Sequence, residues 1–255
     1  MIMRKIFKLS SLSLILLLTF GVVFAQKKDK KQKDEGVRVM TIPISIFTKE
    51  ELETKQASEF VEAGQIIVKE DKEEQEILSI RSVSNTPLAL AILIQDDLDS
   101  ATNLQLNDLK KFIKGLPEDS RVMVAYLRSG KMQVRQKFTN NLEKAADSLR
   151  IIVGSSSVAP RNPYDGVVDA LKRFDGQPTG RRAILLISDG LDVSNGIDSS
   201  IPSLSNDLDR AILSAQRNSV AVYSIYSPAT YTSSGNSSLI LNGQGSLSKL
   251  SKETG

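Results

Sequence analysis

A chain of 255 residues has room for one good-sized domain or two small ones, and this one carries 33 Lys and Arg against 30 Asp and Glu. It contains no cysteine and no histidine, which excludes disulfides, thiolate nucleophiles, zinc sites built on Cys or His, and any Ser-His-Asp triad. Acid–base chemistry would therefore rest on carboxylates, lysine or tyrosine, and since Trp is absent as well, a stacking site for bare bases would rest on few aromatics.

The N-terminus has the pattern of an export signal. Arg4, Lys5 and Lys8 form a basic start, "LSSLSLILLLTFGVV" follows as an apolar stretch, and "VFA" precedes an expected cut after Ala25. The apolar run is short and interrupted by Ser10, Ser11, Ser13 and Thr19, whereas a spanning helix wants about 20 mostly apolar residues. Residues 1–25 are therefore expected to be removed, with membrane contact confined to this leader before cleavage. No cysteine follows to carry a lipid. The expected location is secreted, periplasmic or cell-envelope. The leader holds three basic residues and no acidic one, so the mature chain balances at zero. That is no footprint for nucleic acid. Residues 26–36, "QKKDKKQKDEG", read as a charged, solvated linker.

Residues 37–85 suggest a small β-rich segment. "VRVMTIPISIF" alternates apolar and polar positions from Val37 to Phe47, and "QIIVKE" and "EILSIRSVS" read as further strands separated by the charged turn "EDKEEQ". From residue 86 strands and helices alternate. "LALAILIQ" is a continuous apolar strand of the kind buried on both faces. A helix then aligns Leu109, Phe112, Ile113 and Leu116, and "GLP" ends it. "RVMVAYLR" and "KMQVRQKF" flank "SGK" as a hairpin, and "NNLEKAADSLRII" is helical, with Asn140 and Glu143 at capping-box spacing. "YDGVVDALKRF" puts Val167, Leu171 and Phe174 on one face. "DGQPTGRR" is a turn with Arg181 and Arg182 solvated, and "RAILLIS" is a second buried strand.

"SNDLDRAILSAQRNS" aligns Leu208, Ile212 and Ala215, and "VAVYSIY" is a third buried strand. "SPATYTSSGNSSLILNGQG" reads as a mobile loop, with Tyr226 just before it and Tyr231 within it as packing residues, and "SLSKLSKETG" as a helix. The alternation predicts an α/β fold: a doubly wound, mostly parallel sheet with one antiparallel edge strand and the three apolar strands side by side. In such sheets the loops leaving the carboxyl ends of strands at the switch point form the site. Two of those ends carry aspartate, Asp96 and Asp189.

These pieces resemble the von Willebrand factor type A (VWA) family in its bacterial exported VWFA-related branch. The residues that carry the resemblance are "LALAILIQDDLDS", "RAILLISDGLD", the helix start "YDGVVDAL" and the closing "LSKLSKETG". It implies a doubly wound sheet, a metal-ion-dependent adhesion site and binding of other proteins. It also implies one more strand and helix after Gly255, so residues 86–255 are expected to be a VWA-like domain truncated at its C-terminus. The implied metal motif is degenerate. Asp96 and Ser100 match D-x-S-x-S, Leu98 sits where its first Ser belongs, Asp189 matches the final Asp, and Arg161 falls at or near the family's Thr. A leucine and an arginine remove two hydroxyls from a set that Mg²⁺ needs.

The expected cofactor is therefore none, or weakly bound Mg²⁺, with the Arg161 guanidinium standing between Asp96 and Asp189 in its place. In the competing arrangement Arg161 points to solvent and Asp97, Asp99 and water rebuild an oxygen site. Simple helix capping by Asp99 or Ser100 is a further reading. The expected function is a non-enzymatic, adhesion-type module that binds a protein ligand, with no small-molecule substrate. The alternative from another class is an Mg²⁺-dependent carboxylate phosphatase of haloacid-dehalogenase type, with Asp97 and Asp99 as nucleophile and acid. No lysine at a later strand end completes that set, nor the similar one of response-regulator receivers.

Overall fold

The computed structural model describes residues 66–77, 87–154, 162–178, 180–229 and 237–255. The chain divides into Met1–Met40 and Thr41–Gly255, and every element below belongs to the second unit. The leader, the linker, the "VRVMTIPISIF" strand, Arg161 and Tyr231 lie outside the described residues.

Residues 66–77 form a short hairpin of β1 (Val68–Glu70) and β2 (Glu73–Gln75), paired antiparallel. The turn is only Asp71–Lys72, at φ 51° and 74°. Positive φ at both central residues gives the primed twist that matches paired strands. "EDKEEQ" is therefore mostly strand, and the expected six-residue turn shrinks to two.

The main sheet contains β3 (Leu88–Gln95), β4 (Arg121–Arg128), β5 (Lys131–Thr139), β6 (Arg181–Ser188) and β7 (Ala221–Tyr226). Their spatial order is β5-β4-β3-β6-β7, with every neighbouring pair parallel except β4 and β5. This is a doubly wound sheet with one antiparallel edge strand. Ser129 and Gly130 make the tight β4–β5 turn, again with positive φ at both. The three apolar strands β3, β6 and β7 lie side by side, as expected. β7 is an edge rather than a buried strand: Tyr223 and Ile225 stand half-exposed on one face.

The helices are α1 (Leu106–Lys114), α2 (Leu142–Asp147), α3 (Pro163–Leu171), α4 (Asn206–Arg217) and α5 (Ser237–Thr254). Two cores result, because the side chains of β3 alternate between faces. Ala89, Ala91 and Leu93 join Val167, Leu171, Phe174, Leu208 and Leu250, beneath α3, α4 and α5. Leu90, Ile92 and Ile94 join Ile113, Ala145 and Ala146, beneath α1 and α2. Burying one such aliphatic side chain contributes roughly 1.5–3 kcal/mol. Among the described residues no helix is long and apolar enough to cross a membrane.

Local signals misled at four points. Phe112 is 47% exposed, because only Leu109, Ile113 and Leu116 keep to the buried stripe of α1. The N-cap of α2 is Asn141, whose side chain accepts from Lys144 N–H at 2.8 Å; Asn140 precedes it. Arg182 donates to the carbonyls of Pro178 and Gln177 and is half-buried. Most consequentially, "SSLILNGQG" belongs to α5 and not to a loop. Tertiary contact outweighs its poor helix propensity: Leu239 is buried, and Asn242 Nδ2 donates to Ser200 Oγ at 3.1 Å.

Candidate functional site

β3 and β6 run in register, Ile94 opposite Ile187. The next positions therefore bring Gln95 beside Ser188 and Asp96 beside Asp189 at the carboxyl end of the sheet. The two aspartates thus follow the ends of adjacent parallel strands.

Gln95 is the strut between the strand ends. It is buried, and its Oε1 accepts from Ser188 Oγ at 2.5 Å and from Asp189 N–H at 3.1 Å, while Nε2 donates to Asp97 Oδ1 at 2.8 Å. Ser188 Oγ in turn accepts from Gly190 N–H at 2.9 Å. The fully buried Asp189 turns Oδ1 to Leu191 N–H at 3.1 Å. The Tyr164 hydroxyl, also buried, donates to Gly190 O at 2.6 Å. Burial and the neighbouring carboxylates push that phenol far above its usual range.

Asp96 carries the principal ion pair. Its backbone N–H donates to Leu127 O at 2.9 Å, and Oδ1 meets Arg150 Nη2 at 2.7 Å, with the carboxylate side chain only 8% exposed. Arg150 is held from two directions. Its guanidinium lies 4.1 Å from the centroid of the Tyr126 ring, within cation–π range. Its backbone N–H donates to the Tyr126 hydroxyl at 2.9 Å, which donates to Arg150 O at 2.9 Å. Burial raises the Tyr126 phenol, opposed by the bond it accepts from Arg150 N–H and by the guanidinium charge.

The remaining motif positions serve local structure. Leu98 is fully buried and bridges Ala229. Asp99 N–H donates to Pro228 O at 2.8 Å, and its Oδ1 accepts from Ala101 N–H at 2.8 Å, capping the 3₁₀ turn Ser100–Gln105. Ser100 is exposed at the start of that turn. Thr102 Oγ1 and Ser227 Oγ share a bond of 2.6 Å, and Asn103 clamps Ile152 through both backbone groups, at 2.9 and 2.8 Å. Among the described residues no three carboxylate side chains converge as a metal-ligating group. The sequence reading missed Gln95, Tyr126 and Arg150, whose bonds (Tyr126–Arg150, Arg150–Asp96, Gln95–Ser188 and Gln95–Asp189) span 24 to 94 residues of chain. The one local signal was a glutamine closing an otherwise apolar strand.

No protein-family model matches the chain, and no curated protein does. Similar solved structures include the conserved hypothetical protein BatB from Bacteroides thetaiotaomicron, at TM-score 0.44 and 12% identity, covering 66% of this chain and 86% of that one. Another is an aerotolerance-related membrane protein from Bacteroides fragilis NCTC 9343 with multiple mutations to serines, at 0.39 and 13%, covering 63% and 88%. A third is the VWA domain of SpRpn10, at 0.37 and 15%, covering 64% and 82%. By its own strand order and register, the domain is a doubly wound α/β fold with one antiparallel edge strand.

Proposed function

We propose that the chain is an exported, non-enzymatic protein-interaction module of VWA type whose site carries an internal cation, Arg150, in place of a divalent metal. The single observation that carries this is the Arg150–Asp96 ion pair at 2.7 Å, largely out of solvent. Two aspartates at the ends of adjacent strands repel each other unless a cation stands by them. The Arg161 expectation falls outside the described residues; the cation seen at Asp96 is Arg150.

Mg²⁺ requires near-octahedral oxygen donors. Here one oxygen of Asp96 is occupied by a guanidinium, one of Asp99 by a backbone N–H, and one of Asp189 by Leu191 N–H, while Leu98 brings no donor. This set does not fit the ion, and recognition proceeds through shape, apolar contact and hydrogen bonds. The same bonds speak against the phosphatase reading, since Asp97 and Asp99 are held as a strand-end acceptor and a helix cap. Export is supported by the basic, apolar and small-residue pattern of residues 1–25.

The test is an affinity capture from an envelope fraction with the mature chain as bait, washed with and without a chelator. Retention of the partner through the chelator wash is expected. Release by the chelator, or aryl phosphate hydrolysis lost in Asp97→Asn, contradicts the reading.

A further inference from the structure

Two asparagines of the chain precede glycine, Asn195 and Asn242. In such a pair the side-chain amide is open to attack by the next backbone nitrogen, because glycine brings no Cβ to obstruct the approach. The two pairs are alike in sequence, and their surroundings separate them. Asn195 lies in the loop that leaves β6 beyond Asp189, where residues 194–198 are all exposed. Gly196 N–H closes the turn by donating to Val193 O at 3.3 Å, and Asn195 Nδ2 reaches only its neighbour, Ser194 Oγ, at 3.4 Å. Both distances are longer than a usual hydrogen bond. A Cβ on Gly196 would meet nothing within 4 Å, so the attacking nitrogen has open space about it. Asn242 sits inside α5, where helix geometry binds backbone N–H groups to carbonyls four residues back. Gly243 is buried against the Asp189 carbonyl, and the Asn242 amide donates to Ser200 Oγ at 3.1 Å.

We infer that Asn195 is a modification site, at which the folded protein deamidates spontaneously and adds a carboxylate to the loop between β6 and α4. The backbone nitrogen of Gly196 attacks Asn195 Cγ. The N–Cγ bond forms, the Cγ–Nδ2 bond breaks, and the amide leaves as ammonia with the proton that Gly196 gave up. Water then opens the resulting cyclic imide at one of its two carbonyls. Opening at the former side-chain carbonyl gives aspartate; opening at the main-chain carbonyl gives isoaspartate, with the chain rerouted through the side chain. Either product exchanges a neutral amide for a negative charge three residues from Asp192 and three from Asp198. Asp192 holds the turn from within, accepting from Ser194 N–H at 3.1 Å and from Ser194 Oγ at 2.6 Å. Isoaspartate also lengthens the backbone just before the Gly196 carbonyl, to which Ser199 Oγ donates at 2.7 Å. The inference stands apart from the reading of the Asp96–Arg150 site.

The test is a time course on the full mature chain, kept folded in mildly alkaline buffer, with digestion and mass spectrometric mapping of both sites. The Asn195 peptide is expected to gain the mass of an amide-to-acid conversion, divided between aspartate and isoaspartate. Its rate should rise with pH, because the attacking nitrogen must lose its proton. Asn242 should react at least about tenfold more slowly, since it waits for α5 to open locally. In urea that difference should vanish, because both pairs are then unfolded chain. Asn195→Gln, a change at an exposed position, should remove the early product and leave the slow one. Equal rates at the two sites in the folded chain, or faster reaction at Asn242, overturns the inference. So does an Asn195 that reacts in urea and stays intact in the folded chain, or an early product that survives Asn195→Gln.

Discussion

Gly190 and Gly243 meet backbone to backbone, and neither position has room for a side chain. A Cβ on Gly190 would lie 2.3 Å from the Gly243 carbonyl oxygen, and one on Gly243 would lie 2.0 Å from the Asp189 carbonyl oxygen. Helix α5 is thus seated directly on the strand end that supplies Asp189. Gly190 also has φ +72°, a conformation side chains disfavour.

Replacing a mid-helix glycine by alanine ordinarily stabilises by about 1 kcal/mol. Gly243→Ala should do the reverse and cost about 2 kcal/mol or more, since backbone must move. Gly245→Ala, whose Cβ meets only Pro202 Cγ at 3.2 Å, should be neutral to stabilising by up to about 1 kcal/mol. Urea unfolding of both variants checks this; equal behaviour contradicts it.

The two glycines also show what the sequence could and could not reveal. Periodicity located the sheet, because β3, β6 and most helices are governed by which face is apolar, and that is written locally. The first half of helix α5 escaped because Asn242, Gly243 and Gly245 read as loop residues; the approach to Asp189 explains Gly243, and Asn242 bonds Ser200 Oγ at 3.1 Å. Asp96 and Asp189 were legible as carboxylates at the ends of apolar strands. Arg150 was not, since the ring it lies against and the acid it pairs with belong to two other strands. A cation near Asp96 was expected on electrostatic grounds, but its position in the chain depends on the path after α2.

Tyr164 ties α3 to the Asp189 loop through its bond to Gly190 O. Tyr164→Phe should cost about 1–2 kcal/mol, leaving a buried carbonyl without that donor. The pH dependence has a definite sign. The folded phenol is held neutral far above the range where the unfolded one ionises, near 10, so the unfolded state loses protons first and stability falls as pH rises past that value. Thermal melts between neutral pH and pH 11 should show this loss in the wild type and a shallower one in Tyr164→Phe.

Arg210 pairs with Asp165 and, at 2.8 Å, with Asp207, which also accepts from Asn162 Nδ2 at 2.6 Å. The Asp165 carboxyl is raised above its ordinary value by burial and by Asp207, with Arg210 opposing. Removing the guanidinium in Arg210→Ala should raise it further. The added penalty is then full at neutral pH, where both carboxylates must be charged, and fades as pH falls below the unfolded carboxylate range. Denaturation of wild type and variant at pH 7 and pH 3 should show the gap closing; a gap that widens in acid contradicts the arrangement.

The central claim is that Arg150 fills the cation's role at Asp96, and calorimetric titration with Mg²⁺ and Mn²⁺ tests it most directly. Wild type should show no micromolar binding. Arg150→Ser leaves Asp96 without its partner, which costs about 3 kcal/mol. It should gain a divalent-ion affinity that raises its melting temperature, and Asp189→Ala should then abolish that affinity. Micromolar Mg²⁺ binding by the wild type, lost in Asp189→Ala and indifferent to Arg150→Ser, would contradict the account.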